Sequence, residues 1–368
     1  MVMIWTGFGR TATAVAAAAI ALAGCAATET GGSPAKPRSA EGLRYLGQPL
    51  LQDIYIADPS AHVFDGRIYV YGSHDVDGTT PEDDLGSHFE MRDYRVVSFD
   101  RIGGKPTVHP VALDVRDVPW AEKQMWAPDA ARKNGRYFLY FPAKDREGVF
   151  RIGVATSDRP EGPFKAEPKP IEGAYSIDPA VFTDGDGASY MVFGGIWGGQ
   201  LQRWASGRFD PNGSNTDLGR NDAPALTPRI ARLRDDMLEF AETPRPLAIV
   251  DEAGKPLLAG DHDRRFFEAA WIHKHDGLYY LTYSTGDTHF IAYATSRSPY
   301  GPFTYRGRVL APVQGWTTHH SIVEVGGRWY LFYHDTQISG RTHLRNMKVT
   351  PLVHEPDGTI RTIDPFVR

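Results

Sequence analysis

Residues 55–75 read YIADPSAHVFDGRIYVYGSHD, and residues 176–195 read SIDPAVFTDGDGASYMVFGG. Both run Asp-Pro, small or apolar residues, Val-Phe, a turn built on Asp-Gly, and then a Tyr-containing apolar strand. Weaker copies follow as WAPDAARKNGRYFLYFPAKD at 126–145, FEAAWIHKHDGLYYLTYSTGD at 267–287 and HHSIVEVGGRWYLFYHD at 319–335. Each copy carries a two-residue turn signal between its strands: Asp65-Gly66, Asn134-Gly135, Asp186-Gly187, Asp276-Gly277 and Gly326-Gly327. Such pairs accept the positive φ that a tight hairpin demands. Five hairpins are predicted.

The turn glycines are separated by 69, 52, 90 and 50 residues, room for a four-stranded unit each time. A second repeat supports the period: ATSDRPEGPF at 155–164 returns as ATSRSPYGPF at 294–303, with seven of ten positions identical. Repetition at this spacing predicts an all-β fold, a five-bladed β-propeller, because radial repetition leaves only short protected edges. The 90-residue gap exceeds one blade, and the Gly/Asn/Asp-rich stretch around 204–222 predicts a surface insertion there. Helical spacing is scarce; residues 230–240 carry the one plausible pattern and read equally as strand plus loop.

With 368 residues, 41% of them hydrophobic, the chain can bury a large core. A net charge of -5 without a basic run argues against a nucleic-acid partner. The first 25 residues are different: one Arg, a short apolar run and LAGC ending in Cys25, the single cysteine of the chain. A run this short reads as an export signal rather than a membrane span. The string 22–25 resembles the lipobox of bacterial lipoproteins, in which the cysteine becomes the lipidated first residue. Residues 26–40, small, polar and Pro/Gly-rich, read as a tether, and the folded domain is expected over 41–368. The expected location is outside the cytoplasm, lipid-anchored through Cys25, at the outer membrane where a bacterium has two. Oligomeric state is not legible.

In a propeller the first strand of each blade lines the axis, so residues upstream of each hairpin converge on one face. Eight or nine positions before the turn glycines stand Asp58, Asp178, Glu268 and His319; Asp129, six before its glycine, completes the ring less regularly. Carboxylates that share a partly buried site have their pKa values pushed apart, so one stays protonated while another is ionised. Glycoside hydrolysis needs that pairing.

The order Asp-Pro, Asp-Pro-x-Val-Phe, Phe-Glu-Ala-x-Trp and His-His-Ser resembles glycoside hydrolase family 43, over nearly everything from 52 to 366. The resemblance implies a five-bladed propeller that hydrolyses arabinose- and xylose-containing polysaccharides with inversion. It implies Asp58 as general base, Glu268 as general acid and Asp178 as the acid that raises and orients Glu268. It makes His319 the histidine near the axis, where some members hold a calcium ion through water; no other cofactor is implied. Arg345 falls where the family places a substrate-facing arginine, with Arg341 as the competing choice, and His320 of the His pair is a further substrate-binding candidate.

Tryptophans near the acids are candidate sugar platforms: Trp126, Trp197 between two Gly pairs, and Trp316. The acidic stretch VDGTTPEDD at 76–84 reads as a loop over the pocket mouth. Partners are therefore arabinose- or xylose-containing glycans. An α-L-arabinofuranosidase is favoured over a β-xylosidase, because many family xylosidases carry a further C-terminal β-sandwich after the fifth blade. The rival from another class, a non-catalytic glycan-binding surface lipoprotein, would be expected to have lost an acid, and all three are present.

Overall fold

The computed structural model describes Gly42 and residues 44–216, 220–316 and 319–367. The proposed signal, Cys25 and the tether lie outside the described residues. Five sheets succeed one another along the chain, antiparallel except where Ile249–Val250 pairs parallel with the outer strand of blade 4. Blade 1 runs through Ile56–Phe64, Arg67–His74, Asp93–Phe99 and Thr107–Val108. Blade 2 uses Asp129–Lys133, Arg136–Asp145, Phe150–Ser157 and Lys165–Ala166. Blade 3 is built from Ala180–Thr183, Ser189–Phe193, Arg229–Arg232 and Arg245–Pro246. Blade 4 has Glu268–His275, Leu278–Ser284, Ile291–Ser296 and Phe303–Leu310, and blade 5 has His320–Val325, Arg328–Asp335 and Asn346–Leu352. The first strands touch in succession from blade 1 to blade 5 and back to blade 1, which closes the propeller. At the ends of the domain Arg44–Tyr45 pairs with Phe366–Val367, and the Leu50 N–H donates to the Met347 carbonyl beside blade 5.

Four of the five predicted turns have both residues at positive φ: 51° and 78° at Asp65-Gly66, 52° and 77° at Asn134-Gly135, 47° and 76° at Asp276-Gly277, 58° and 78° at Gly326-Gly327. The third differs. Residues 184–188 form a longer loop in which Gly187 alone has positive φ, and Asp184 is pinned to blade 4 by Lys274 at 2.7 Å and by the Tyr279 hydroxyl. That cross-blade anchor replaces the two-residue turn. The expected insertion occupies residues 194–228, between the second and third strands of blade 3, and carries the short 3-10 turns Trp197–Gly199 and Leu201–Trp204. Residues 230–240 are strand followed by turns.

Burial on both faces explains why the middles of the second strands are apolar at successive positions. In Arg136–Asp145, Tyr137, Leu139 and Phe141 pack toward blade 1, while Phe138 and Tyr140 pack toward blade 3. Likewise Tyr190 and Val192 face blade 4, and Met191 and Phe193 face blade 2. A strand buried on both faces has no polar side to present. The core is thus a ring of seams between blades, and the strand ends on the face opposite the hairpins converge on the axis.

Candidate active site

The acids stand where the inner strands break register. In blade 1 the pairing jumps from Ala57 with Ser73 to Ser60 with Tyr71, and Asp58 in the bulge has φ 53°. In blade 4 it jumps from Glu268 with Ser284 to Trp271 with Thr282, with Ala269 at φ 60°. Asp178, just before its strand, has φ 56°. Non-glycine residues in the left-handed region are strained, and a bulge re-aims the side chain away from the ladder. Gly72 faces the first bulge, where a Cβ would stand 2.4 Å from the Ala57 carbonyl oxygen and 2.2 Å from Met347 Cε. No larger residue fits there.

Asp58, Asp178 and Glu268 line one pocket with His319, Arg345, Trp126, Trp197 and Trp316. One further wall comes from the loop after blade 1's second strand, through Asp84, Leu85, Gly86, Phe89 and Met91. The acidic loop therefore does reach the mouth.

Arg345 is buried and holds two carboxylates at once. Its Nη1 donates to Asp58 Oδ1 at 2.8 Å, while its Nε and Nη2 donate to Asp75 at 2.9 and 2.7 Å. The Ser73 hydroxyl also donates to Asp58, and the Asp58 N–H donates to His334 Nδ1 at 3.1 Å. Burial pushes the Asp58 carboxyl up, but Arg345, His334, His319 and Ser73 outweigh it and hold it below the usual carboxylate range. Asp58 is an anion at neutral pH.

The other two acids move the opposite way. Burial first, then the negative charge of Asp58, pushes Glu268 up to about 7. Burial, followed by repulsion from Glu268 and Asp58, raises Asp178 well above its ordinary value, although the Ala269 N–H donates to it at 2.9 Å. The two carboxyls form a coupled pair that retains a proton at neutral pH. Glu268, half-buried at the pocket surface, is the member placed to deliver it. An anion and a protonated acid thus face the same space, which is the division of labour that acid–base cleavage of a glycosidic bond requires.

Trp126 forms a wall, its Nε1 donating to the Phe89 carbonyl at 3.0 Å. Trp197 and Trp316 stack at 6.2 Å with 26° between planes, and the His289 ring lies edge-on to Trp316 at 4.9 Å. His320 does not reach the pocket. It is buried between blades 4 and 5, its Nε2 2.6 Å from Thr282 Oγ1, because the alternation that turns His319 to the axis turns its neighbour into the sheet. Arg341 makes an exposed bidentate pair with Asp77 at 2.7 and 2.8 Å and is also off the pocket. Asp129 serves the seams: it accepts from the Val181 N–H at 2.5 Å and from Ser60, and lies 2.7 Å from His62 Nε2. Sequence reasoning missed Asp75, Phe89 and Met91. A signal for Asp75 existed, since four of the quoted hairpins end in aspartate.

Residues 56–360 match the sequence profile of Glycosyl hydrolases family 43. The chain belongs to this family. It is 56% identical to the xylosidase/arabinosidase 43A of Humicola insolens, over 86% of this chain and 99% of that protein. It is 51% identical to a β-xylosidase of Xylanibacter ruminicola, over 84% of this chain and 97% of that protein. Among solved structures, a family 43 β-xylosidase/α-arabinofuranosidase from a compost microbial metagenome, in complex with xylotriose and in a calcium-free form, superposes with a TM-score of 0.87. That protein is 62% identical, the match covering 90% of this chain and all of the other. This family 43 propeller is a glycosidase hydrolysing O-glycosyl bonds.

The fit to calcium can be judged from the donors. Among the described residues no group of three or more His, Cys, Asp or Glu is arranged to hold a metal. Calcium takes six to eight oxygen ligands, whereas His319 offers a ring nitrogen and is neutral, burial and then Arg345 outweighing the pull of Asp58 and Asp129 to bring it down to about 4. The residues present do not form a direct calcium cage.

Proposed function

We propose that this enzyme is an inverting β-xylosidase acting on xylo-oligosaccharides, with α-L-arabinofuranosidase activity as its second specificity. The observation that carries the reading is the opposition, in one pocket, of an ionised Asp58 to the proton-holding pair Glu268 and Asp178. Glu268 protonates the leaving oxygen, Asp58 activates the attacking water, and Asp178 shares the retained proton with Glu268. Arg345 keeps Asp58 ionised and fixed in direction. Trp126, Trp197 and Trp316 offer flat apolar faces to the sugar ring. Xylose comes first because the similar proteins are named xylosidase/arabinosidase or β-xylosidase, and because one solved relative holds xylotriose. The expectation of arabinofuranose as the main substrate gives way to these names. A non-catalytic glycan-binding role is not supported by a site with all its acids in place.

The test is the ratio of kcat/KM for 4-nitrophenyl β-D-xylopyranoside and α-L-arabinofuranoside, together with NMR of the first-formed anomer. Higher efficiency on the xyloside and release of α-xylose are expected. Release of β-xylose would refute inversion. A structural calcium would have to be held mostly by water, with His319 the nearest candidate partner, and no step above runs through it. Anchoring by lipidated Cys25 is also proposed, on the LAGC string and the tether composition. Cys25→Ser should move activity from the detergent-extracted fraction to the soluble one, and a wild-type chain found without acyl groups would refute it.

A further inference from the structure

A polar groove of about 740 Å³ lies between blades 1 and 2, lined by residues at the same strand ends that carry the pocket. Pocket and groove share a wall. Along the loop after blade 1's second strand, Phe89 and Met91 face the pocket while Glu90 and Arg92 face the groove. Along the approach to blade 2's first strand, Trp126 faces the pocket while Lys123 and Gln124 face the groove. Gln124 Nε2 donates to the Gly86 carbonyl at 3.0 Å and joins the two segments.

The charges in the groove are unevenly matched. Asp114 is held by Arg116 at 2.7 Å and Asp93 by Arg95 at 2.7 Å. The lining holds four cations and four carboxylates, but Arg92 leans on the already paired Asp114 and Glu90 accepts from the Thr80 hydroxyl, which leaves Lys123 and Lys144 without an ion pair among the described residues, beside Glu122. Lys144 is the informative one. It is half-buried, with its ammonium 4.9 Å from the Phe150 ring centroid and 6.0 Å from that of Trp126, the wall of the pocket. Burial, then Lys123 and Arg203, depress it to about 8, and Asp83 opposes them only in part. An ammonium crowded by cations and short of an anion gains from a ligand that supplies one.

Resting on the glycosidase reading above, we propose that this groove receives a carboxylate carried on the leaving-group portion of the substrate, so that the enzyme takes acidic, uronate-bearing xylo-oligosaccharides, with Lys144 and Lys123 as the partners of the carboxylate. A chain whose terminal sugar occupies the pocket must leave it across the mouth, and the shared wall at Trp126 separates mouth from groove by one side chain.

Titration calorimetry on the Glu268→Gln protein, with a uronate-bearing xylotriose and with its methyl ester, separates charge from shape and needs no turnover. The acid is expected to bind about tenfold more tightly than the ester at about pH 6 and low salt, as two or three partly exposed ion pairs would give. That ratio should fall toward one when Lys144→Met is added, and also when the pH is raised well above 8, where Lys144 is neutral. Lys123→Met, an exposed substitution, should lower it in part and guards against a Lys144 variant that does not fold. Equal affinity for acid and ester, or a ratio that survives both substitutions, overturns the proposal. Hydrolysis of neutral xylobiose by the wild-type enzyme is scored separately; its failure would count against the xylosidase reading and leave the calorimetric result standing.

Discussion

Deprotonating Glu268 should switch the enzyme off between about pH 7 and pH 9 for substrates whose leaving group needs a proton. With its carboxyl at about 7, roughly half of the molecules carry the proton at neutral pH, against roughly 0.3% for a glutamic acid near its ordinary value. Burial and Asp58 therefore raise the competent fraction by about two orders of magnitude. Because the proton is lost as pH rises, kcat/KM for a phenyl or alkyl β-xyloside should fall tenfold per unit above the midpoint. Because Asp58 is held below the usual range, the acid limb should lie at or below that of a free carboxylate. The assay is kcat/KM from about pH 4 to pH 10 on a poor and a good leaving group. With 2,4-dinitrophenyl β-xyloside, whose aglycone departs unaided, the alkaline limb should flatten. Glu268→Gln should lose about 10²–10⁴-fold on the poor leaving group, less than about tenfold on the good one, and the alkaline limb altogether. Equal losses on both substrates, or an alkaline limb that survives the substitution, would refute the assignment of Glu268 as the acid.

Arg345→Lys should lower kcat about 10²-fold and move the acid limb upward, since one ammonium cannot hold Asp58 and Asp75 together; a pH profile reads both. Asp178→Asn should stabilise the fold while impairing catalysis. An acid whose folded pKa is raised keeps its proton longer than in the unfolded chain, so stability declines as pH climbs from the ordinary carboxylate value and the full cost stands once the folded group ionises. Thermal unfolding at about pH 8 should show a rise of ~2–4 °C in the variant, and no rise at about pH 4. His289→Ala should raise KM for the xyloside with little change in kcat, because Trp316 loses the ring beside it and the donor to its carbonyl at 2.8 Å. His289→Asn should rescue it, since asparagine tolerates the φ of 60° at this position and can offer a similarly placed donor.

What the sequence made legible was the repeat and whatever the repeat positions. Turn pairs at positive φ are local chemistry, so four hairpins could be located to the residue, and three acids at matching offsets followed. The misreadings have physical causes. Asp186-Gly187 reads as a tight turn, but the loop is set by Asp184 reaching Lys274 and Tyr279 in the next blade, a contact between residues about ninety apart. His319 and His320 cannot be told apart by offset, because a bulge changes strand parity by one and the offsets of eight and nine that locate the acids already straddle it. Phe89 and Met91 come from a loop with no period at all.

The aspartates at the ends of the second strands show how a repeating frame carries a site that does not repeat. Asp145 pairs with Arg151 at 3.1 Å, Asp287 with Arg265 at 3.3 Å and Asp335 with Lys348 at 2.5 Å, each within its own blade. Two of those pairs fasten a strand end to its own sheet, and the Asp287 pair joins the segments just after the second strand and just before the first. Asp75 holds the same position in blade 1, yet its cation is Arg345, from the segment that enters the last strand of blade 5. The same guanidinium also reaches Asp58, on the neighbouring first strand of blade 1, at 2.8 Å. The ion pair that elsewhere closes a blade here closes the ring between first and last blades and sets the charge of the catalytic carboxylate. Removing the Asp75 carboxylate would therefore loosen the direction of Arg345 without touching the pocket. Burial outweighs Arg345 and leaves Asp75 itself raised, so the clamp favours Asp58 as the anion, the state that water activation needs.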